Sequence, residues 1–147
     1  MAVYFIPTGY AGGTILVNDG DVFIFEAGAS TNIAFESASS LPADFAMDFS
    51  ESKISAFTVE IKNDLNADIT IADDVSLDNP CIKASNAAST DLTIGNNVTL
   101  DRFEGSGGTD TVTIGDNFVT KNDFKTGNGD DAIIIDNNAT APKFDAG

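Results

Sequence analysis

The chain has 147 residues, one ordinary domain's worth, enough for a core that buries roughly two thirds of the unfolded surface. Its 23 acidic residues face 7 basic ones, a formal charge of −16, which argues against nucleic acid or an anionic membrane surface as partner, because both draw affinity from Lys and Arg. There is no His and a single cysteine, Cys81, so imidazole catalysis, His-metal sites and an internal disulfide are excluded, while cysteine use leaves the compartment open.

The N-terminus, Met1 to Pro7, has no positive leader region, and its apolar run breaks at Pro7, Thr8 and Gly9, so it does not read as a signal peptide. No stretch approaches the ~20 apolar residues that span a bilayer, so membrane insertion is not expected. Thr14 to Val17, the turn Asn18-Asp19-Gly20-Asp21 and Val22 to Phe25 then read as a hairpin or a first irregular coil. A loop of small residues, Ala27 to Ser40, follows; beyond it Phe45, Met47, Phe49 and Ile54 supply apolar content without clear strand or helix phase. Residues 1–56 are therefore expected to form an irregular N-terminal cap, as solenoids need an atypical terminal unit. No Lys or Arg precedes Lys53, so the seven carboxylates before it have no compensating side chain among them.

From residue 57 the chain repeats itself. A phrase of Ile, any residue, two Asn/Asp and an apolar residue begins at Ile61, Ile71, Ile94, Ile114 and Ile135, in steps of 10, 23, 20 and 21. Two residues before each Ile stands another apolar residue: Val59, Ile69, Leu92, Val112 and Ile133. Thr70, Thr93 and Thr113 hold the position between, with Glu60 and Ile134 as exceptions, the alternation of a strand with one buried face. Phe103, Phe124 and Phe144 recur about nine residues later, so each unit is strand, Asn/Asp turn, strand, turn. Units of about 20 residues cannot bury a core alone, but wound as coils they stack like residues in ladders about 4.7–4.9 Å apart. The fold class expected is all-β, a parallel β-solenoid (β-helix or β-roll) over residues 57–147, with Asn/Asp ladders at corners where these residues tolerate left-handed φ. An antiparallel β-sandwich is the competing arrangement, although it does not require the same residue types at the same phase of every unit.

Two turns in this region are glycine-rich, Gly105-Ser106-Gly107-Gly108-Thr109-Asp110 and Gly127-Asn128-Gly129-Asp130-Asp131, and they align at a spacing of 21. The second contains G-x-G-x-D-x-U, where U is apolar, and here the chain resembles the RTX family of calcium-binding parallel β-rolls over about 30 residues. The resemblance implies calcium as the cofactor, with Gly127, Gly129 and Asp131, and more weakly Gly108 and Asp110, as ligand or ligand-turn residues. It also implies secretion without an N-terminal signal, to the cell exterior or cell surface. The departures are that Ser106 stands where Gly127 does, and that the coil is longer than the family's two nonapeptides. Asp101, Asp116, Asp123, Asp130 and Asp136 add oxygens that suit a hard cation, although Asp and Asn also serve simply as turn formers.

Catalysis is not expected: no triad can be assembled without His, and a sugar groove would need more than 2 Tyr, no Trp and one Arg, Arg102. An ice-binding Thr face is interrupted at Glu60, Val119 and Ile134, although Ser76, Thr99 and Thr140 stand in phase for a second polar column. After Phe144 only Asp145-Ala146-Gly147 remain, too few for a cap, so the last coil is expected to expose a strand edge unless the sequence is part of a longer repeat protein. The function this suggests is non-enzymatic: a subunit of an extracellular fibre or surface layer, stacked head to tail on itself and calcium-stabilised. The alternative is a passive solenoid module of an adhesin, phage tail component or secreted enzyme, meeting cell-surface components.

Overall fold

The structure, a computed structural model, describes residues 1–29, 32–39, 41–50, 53–54, 58–62, 65–77, 81–85 and 89–147. These contain strands and turns and no helix. In chain order the strands are β1 (Val3–Ile6), β2 (Gly13–Val17), β3 (Asp21–Phe25), β4 (Ile33–Ser37), β5 (Ala43–Phe49), β6 (Lys53–Ile54), β7 (Thr58–Lys62), β8 (Leu65–Ile71) and β9 (Ser76–Leu77). They continue as β10 (Cys81–Ser85), β11 (Ser89–Ile94), β12 (Thr99–Leu100), β13 (Arg102–Glu104), β14 (Thr109–Ile114), β15 (Val119–Thr120), β16 (Phe124–Lys125), β17 (Ala132–Ile135) and β18 (Phe144–Asp145).

The strands form a parallel β-solenoid with three faces. The first sheet has the order β1-β3-β5-β8-β11-β14-β17, the second β18-β16-β13-β10-β7-β4-β2, and the narrow third β15-β12-β9-β6. Every pairing is parallel, as it must be when neighbours in a sheet are the same stretch of successive coils. A sandwich would alternate strand direction, and that arrangement is excluded.

The first sheet carries the aliphatic ladder. Ile69, Leu92, Val112 and Ile133 lie in one column, and Ile71, Ile94, Ile114 and Ile135 in the next. Between them, on the outer surface, Thr70, Thr93, Thr113 and Ile134 stand in line. On the opposite face Ile33, Val59, Ile82, Phe103, Phe124 and Phe144 make one column. The Phe103 and Phe124 rings stack at 5.0 Å and Phe124 meets Phe144 at 5.7 Å, and such pairs are each worth about 0.5–1.5 kcal/mol beyond their area. Ser76, Thr99, Val119 and Thr140 align on the third face.

Several readings of the sequence are corrected. Ile61 is not a member of the Ile71 ladder: it lies in β7 of the second sheet, opposite Phe35 and Ala84, which explains the short step of 10 and the misfit of Glu60. The Asn63-Asp64 part of that phrase lies outside the described residues. The described residues of 1–56 do not form an irregular cap. β1, β3 and β5 are the first three strands of the first sheet, and β2 and β4 begin the second, so β2 and β3 form no hairpin. The small-residue segment 27–40 contains β4, and Phe45, Met47 and Phe49 are the inward residues of β5, whose outward Ala46 hides the alternation. The boundary at residue 56 itself lies outside the described residues, but β5 pairs with β8 and β4 with β7 across it. The core is continuous and merely changes material, from Phe23, Phe25, Phe35, Phe45 and Phe49 in the first coils to aliphatic side chains later. Phe25 and Phe49 stack at 4.4 Å and Phe23 and Phe35 meet at 4.8 Å.

The Asn/Asp corner ladder is present. Asp74, Asn97, Asn117 and Asn138 have φ of 62°, 57°, 58° and 59°, the left-handed region that Asn and Asp tolerate best among side-chain-bearing residues. Asn97 Nδ2 donates to Asp74 Oδ1 (2.8 Å), Asn117 to Asn97 (3.0 Å) and Asn138 to Asn117 (3.1 Å). The preceding column captures backbone: the N–H of Asn96 donates to Asp73 Oδ1 (2.6 Å), that of Asp116 to Asn96 Oδ1 (2.9 Å) and that of Asn137 to Asp116 Oδ1 (2.9 Å).

Two outcomes are expected. Ile114→Asp places an unpaired charge in a column where Ile114 is fully buried, costing more than about 4 kcal/mol; a cooperative thermal melt near the parent's would contradict the ladder. Asn117→Ala should cost about 1–2 kcal/mol more than Asn117→Gly by denaturant unfolding, because both lose the amide ladder but only Ala pays for the left-handed backbone.

Candidate functional site

The two glycine-rich turns lie at the corner where the second sheet hands over to the first, between β13 and β14 and between β16 and β17. They stack: the N–H of Gly105 donates to Lys125 O (2.7 Å), and the N–H of Asn128 to Ser106 O (3.2 Å). Gly127 and Gly129 have φ of 106° and 145°. A Cβ on Gly127 would collide with the Ser106 carbonyl oxygen and one on Gly129 with that of Gly108. Glycine is required here both for backbone conformation and for close approach of the coils.

Asp110 and Asp131 occupy one inward column at the start of the first sheet. The register runs Asp21, Phe45, Ala67, Thr90, Asp110, and Asp131 follows as the residue before Ala132, which pairs with Thr111. Asp110 is fully buried, among buried Ser106, Thr90 and Thr126. Its Oδ1 accepts the Thr90 N–H from the preceding coil (2.7 Å) and the Ser106 hydroxyl (2.7 Å), and its Oδ2 accepts the Ser106 N–H (2.6 Å). The Ser106 Oγ in turn accepts the Gly108 N–H (3.0 Å). The side chain thus clamps its own turn and ties it to the coil before.

The same wiring recurs at Asp21, which the sequence reading treated only as part of a turn. Buried Asp21 takes the Ala2 N–H on Oδ1 (2.9 Å) and the Asn18 N–H on Oδ2 (3.0 Å). Spacing could have revealed it, since Asp21 opens β3 as Asp110 follows the first residue of β14.

Asp131 has half of this arrangement. Its Oδ1 accepts the Asp110 N–H (2.9 Å), but its Oδ2 is buried without a hydrogen-bond partner. Gly127, standing where Ser106 stands one coil earlier, offers no hydroxyl. All five residues singled out in the sequence, Gly108, Asp110, Gly127, Gly129 and Asp131, therefore meet at one corner. Of the remaining acidic candidates, Asp130 stands exposed in the same turn and the others lie elsewhere. Asp116 and Asp136 lie at the corner after the first sheet, where Asn137 donates to Asp116, while Asp101 receives Asn122 Nδ2 (2.9 Å) at the corner before β13 and Asp123 pairs with Lys125 (3.4 Å).

A calcium ion needs six or more oxygens. Asp131 meets the first requirement of a site, a buried carboxylate oxygen without a donor, in a turn whose glycines let carbonyls approach closely. Asp110 offers less, because three protein donors already hold it. Among the described residues no three His, Cys, Asp or Glu side chains converge on a common point, so most of any coordination sphere would be carbonyl and water. The residues fit calcium at the Asp131 turn and fit a hydrogen-bonded clamp at the Asp110 turn.

Burial pushes the Asp110 carboxyl above the usual carboxylate range; hydrogen bonds from Ser106 and Thr90 pull the other way, and the Asp131 charge adds to the rise. Compared with known protein families, curated proteins and solved structures, the chain matches none.

The raised Asp110 pKa gives a pH prediction. The native state holds this proton more tightly than the unfolded chain, so the contribution to stability is complete below the ordinary value near 3.8 and is lost as pH rises through the raised value. Denaturant unfolding across the acid range should show the parent gaining stability relative to Asp110→Asn as pH falls, since the amide does not titrate. A constant difference would place the charge of Asp110 outside the fold's energetics.

Proposed function

We propose that this chain is a non-enzymatic extracellular structural protein, a subunit of a fibre or surface layer built by head-to-tail stacking of β-solenoids and stabilised by calcium. The observation that carries the reading is that the stack is open at both ends. Among the described residues β1 pairs only with β3 and β17 only with β14, and β17 leaves Ile134 and Ile135 exposed while β1 exposes Val3, Tyr4 and Phe5. Unpaired parallel edges with apolar flanks are templates for another strand, and two unlike ends on one rod make a contact that extends without closing.

Calcium would be held by Asp131 with carbonyl oxygens of the Gly127–Gly129 turn, where it would neutralise buried charge and tie neighbouring coils together. Asp110 and Ser106 would hold the preceding turn in shape. A net charge of −16 opposes self-association, so a cation that screens carboxylates would favour assembly, coupling it to an ion abundant outside cells. A location outside the cell or on its surface belongs to the same proposal.

The second reading, a passive module that meets cell-surface components, is favoured by the same C-terminal coil. Ile133 and Phe144 are only partly covered, which is what further coils of a longer chain would complete.

Light scattering on the purified chain in chelator, then with millimolar calcium, separates these. Reversible growth into long particles on adding calcium is expected, with Asp131→Ala losing the calcium response. Growth in chelator would retain the fibre and remove the ion; a monomer under both conditions would overturn the fibre reading in favour of the module.

A further inference from the structure

We infer that two copies join in the internal register, the coil of β1 and β2 of one copy lying on the coil of β17 and β18 of the next. This rests on the fibre reading and names its partner surface. Four observations meet at this junction.

The first is charge. In a molecule of net −16, the stretch Met1–Asn18 contains no Asp, Glu, Lys or Arg. The coil it faces carries Asp130, Asp131, Asp136 and Asp145 against Lys143. The β1–β2 coil lets an acidic coil stack on it without meeting like charge, whereas stacking two C-terminal coils on each other would double the repulsion.

The second is the outer surface of the first sheet. Along its length one column runs Phe5, Ile24, Asp48, Thr70, Thr93, Thr113, Ile134. The neighbouring column runs Val3, Val22, Ala46, Asp68, Asp91, Thr111, Ala132. Both are apolar at the two ends and polar in the middle. Phe5 is 60% exposed and Ile134 55%. In-register stacking sets Phe5 against Ile134 and Val3 against Ala132, converting two exposed ends into one apolar stripe. The inner columns continue equally, with Tyr4 reaching Ile133 and Ile6 reaching Ile135.

The third is the corner. Each Asp or Asn of the backbone-capturing column accepts the N–H of its equivalent one coil later, from Asp73 through to Asn137. With Ile6 over Ile135, the next equivalent after Asn137 is Thr8, and after left-handed Asn138 comes Gly9, whose φ of 79° continues the left-handed corner. The fourth is on the second sheet, where Gly13 takes the column of Phe144. A Cβ at Gly13 would meet nothing within 4 Å, so the half-covered Phe144 ring has room to be enclosed.

The test uses single-cysteine variants of the full chain in a Cys81→Ser background, mixed in pairs and oxidised with copper phenanthroline in air. In-register neighbours in a parallel sheet lie about 4.8 Å apart, within disulfide reach, while a two-residue slip separates Cα atoms by about 8 Å, beyond it. Phe5→Cys with Ile134→Cys, and Val3→Cys with Ala132→Cys, should give covalent heterodimers at least about tenfold above the slipped pair Val3→Cys with Ile134→Cys. Particles that still grow by light scattering while the slipped pair, or Phe5→Cys with itself, links as well as the matched pairs would overturn the register and leave the fibre standing. No growth of the parent and no linkage in any pair would overturn both, leaving these ends to partners other than a second copy.

Discussion

A parallel solenoid depends on one constraint: every backbone N–H and C=O must find its partner in the coil above or below, at corners as well as along strands. Strands meet this automatically once aligned. Corners do not, because a tight bend turns some N–H groups away from the neighbouring coil. This chain uses three devices for it. At the corner after the first sheet, an Asn/Asp ladder takes the next coil's N–H while a left-handed residue makes the bend. Before the second sheet, Thr120 Oγ1 and Asn122 bind Asp101 of the preceding coil. At the corner entering the first sheet a buried aspartate does the work, and it does so at Asp21 as well as at Asp110. The aliphatic and aromatic ladders are cooperative with these corners, since an inward side chain keeps its neighbours only if the bend delivers the next strand in register.

Charge is distributed unevenly around this frame. On the outer surface of the second sheet the column Glu60, Lys83, Glu104, Lys125, Asp145 alternates in sign from coil to coil. Ion pairs such as Lys62–Glu36 (3.1 Å) and Arg102–Glu104 (3.4 Å) lie on the same face, where exposure leaves each of them weak. The first sheet has no such compensation: Asp68 and Asp91 stand directly opposite each other, an arrangement that costs stability. Salt and divalent cations should therefore act mainly on the first-sheet face, and the second should be nearly indifferent to them.

The later coils were legible in the sequence because they repeat residue type as well as residue class. Ile at the strand end and Asn at the bend recur where a parallel stack puts them next to themselves, so Ile94, Ile114 and Ile135 announced both phase and partner. The first coils obey the same geometry with different material. Phe25 and Phe49 fill the place of Ile71, and Gly28 with φ of 78° replaces the left-handed Asn. Repetition of identity disappears there while repetition of shape persists, and only the former shows without structure. Ile61 misled for the converse reason, being the right residue in the right phrase on the wrong sheet. For the candidate site, motif matching found the turn and its five residues, but the hydrogen-bonding of Asp110 depends on Ser106, which reads as a blemish in the motif.

That serine is the point on which the corner turns chemically. A carboxylate buried at the inward column must be matched by donors or by a cation. Where the turn supplies a hydroxyl and an N–H, as Ser106 does, the carboxylate of Asp110 is satisfied from within the protein. Where Gly127 stands instead, the hydroxyl that reaches Asp110 Oδ1 is gone, the backbone opens to φ of 106°, and the Asp131 Oδ2, whose counterpart on Asp110 accepts the Ser106 N–H, is left buried without a partner. Two successive coils thus meet the same burial problem differently, one closed by hydrogen bonds and one with a carboxylate oxygen left without a donor.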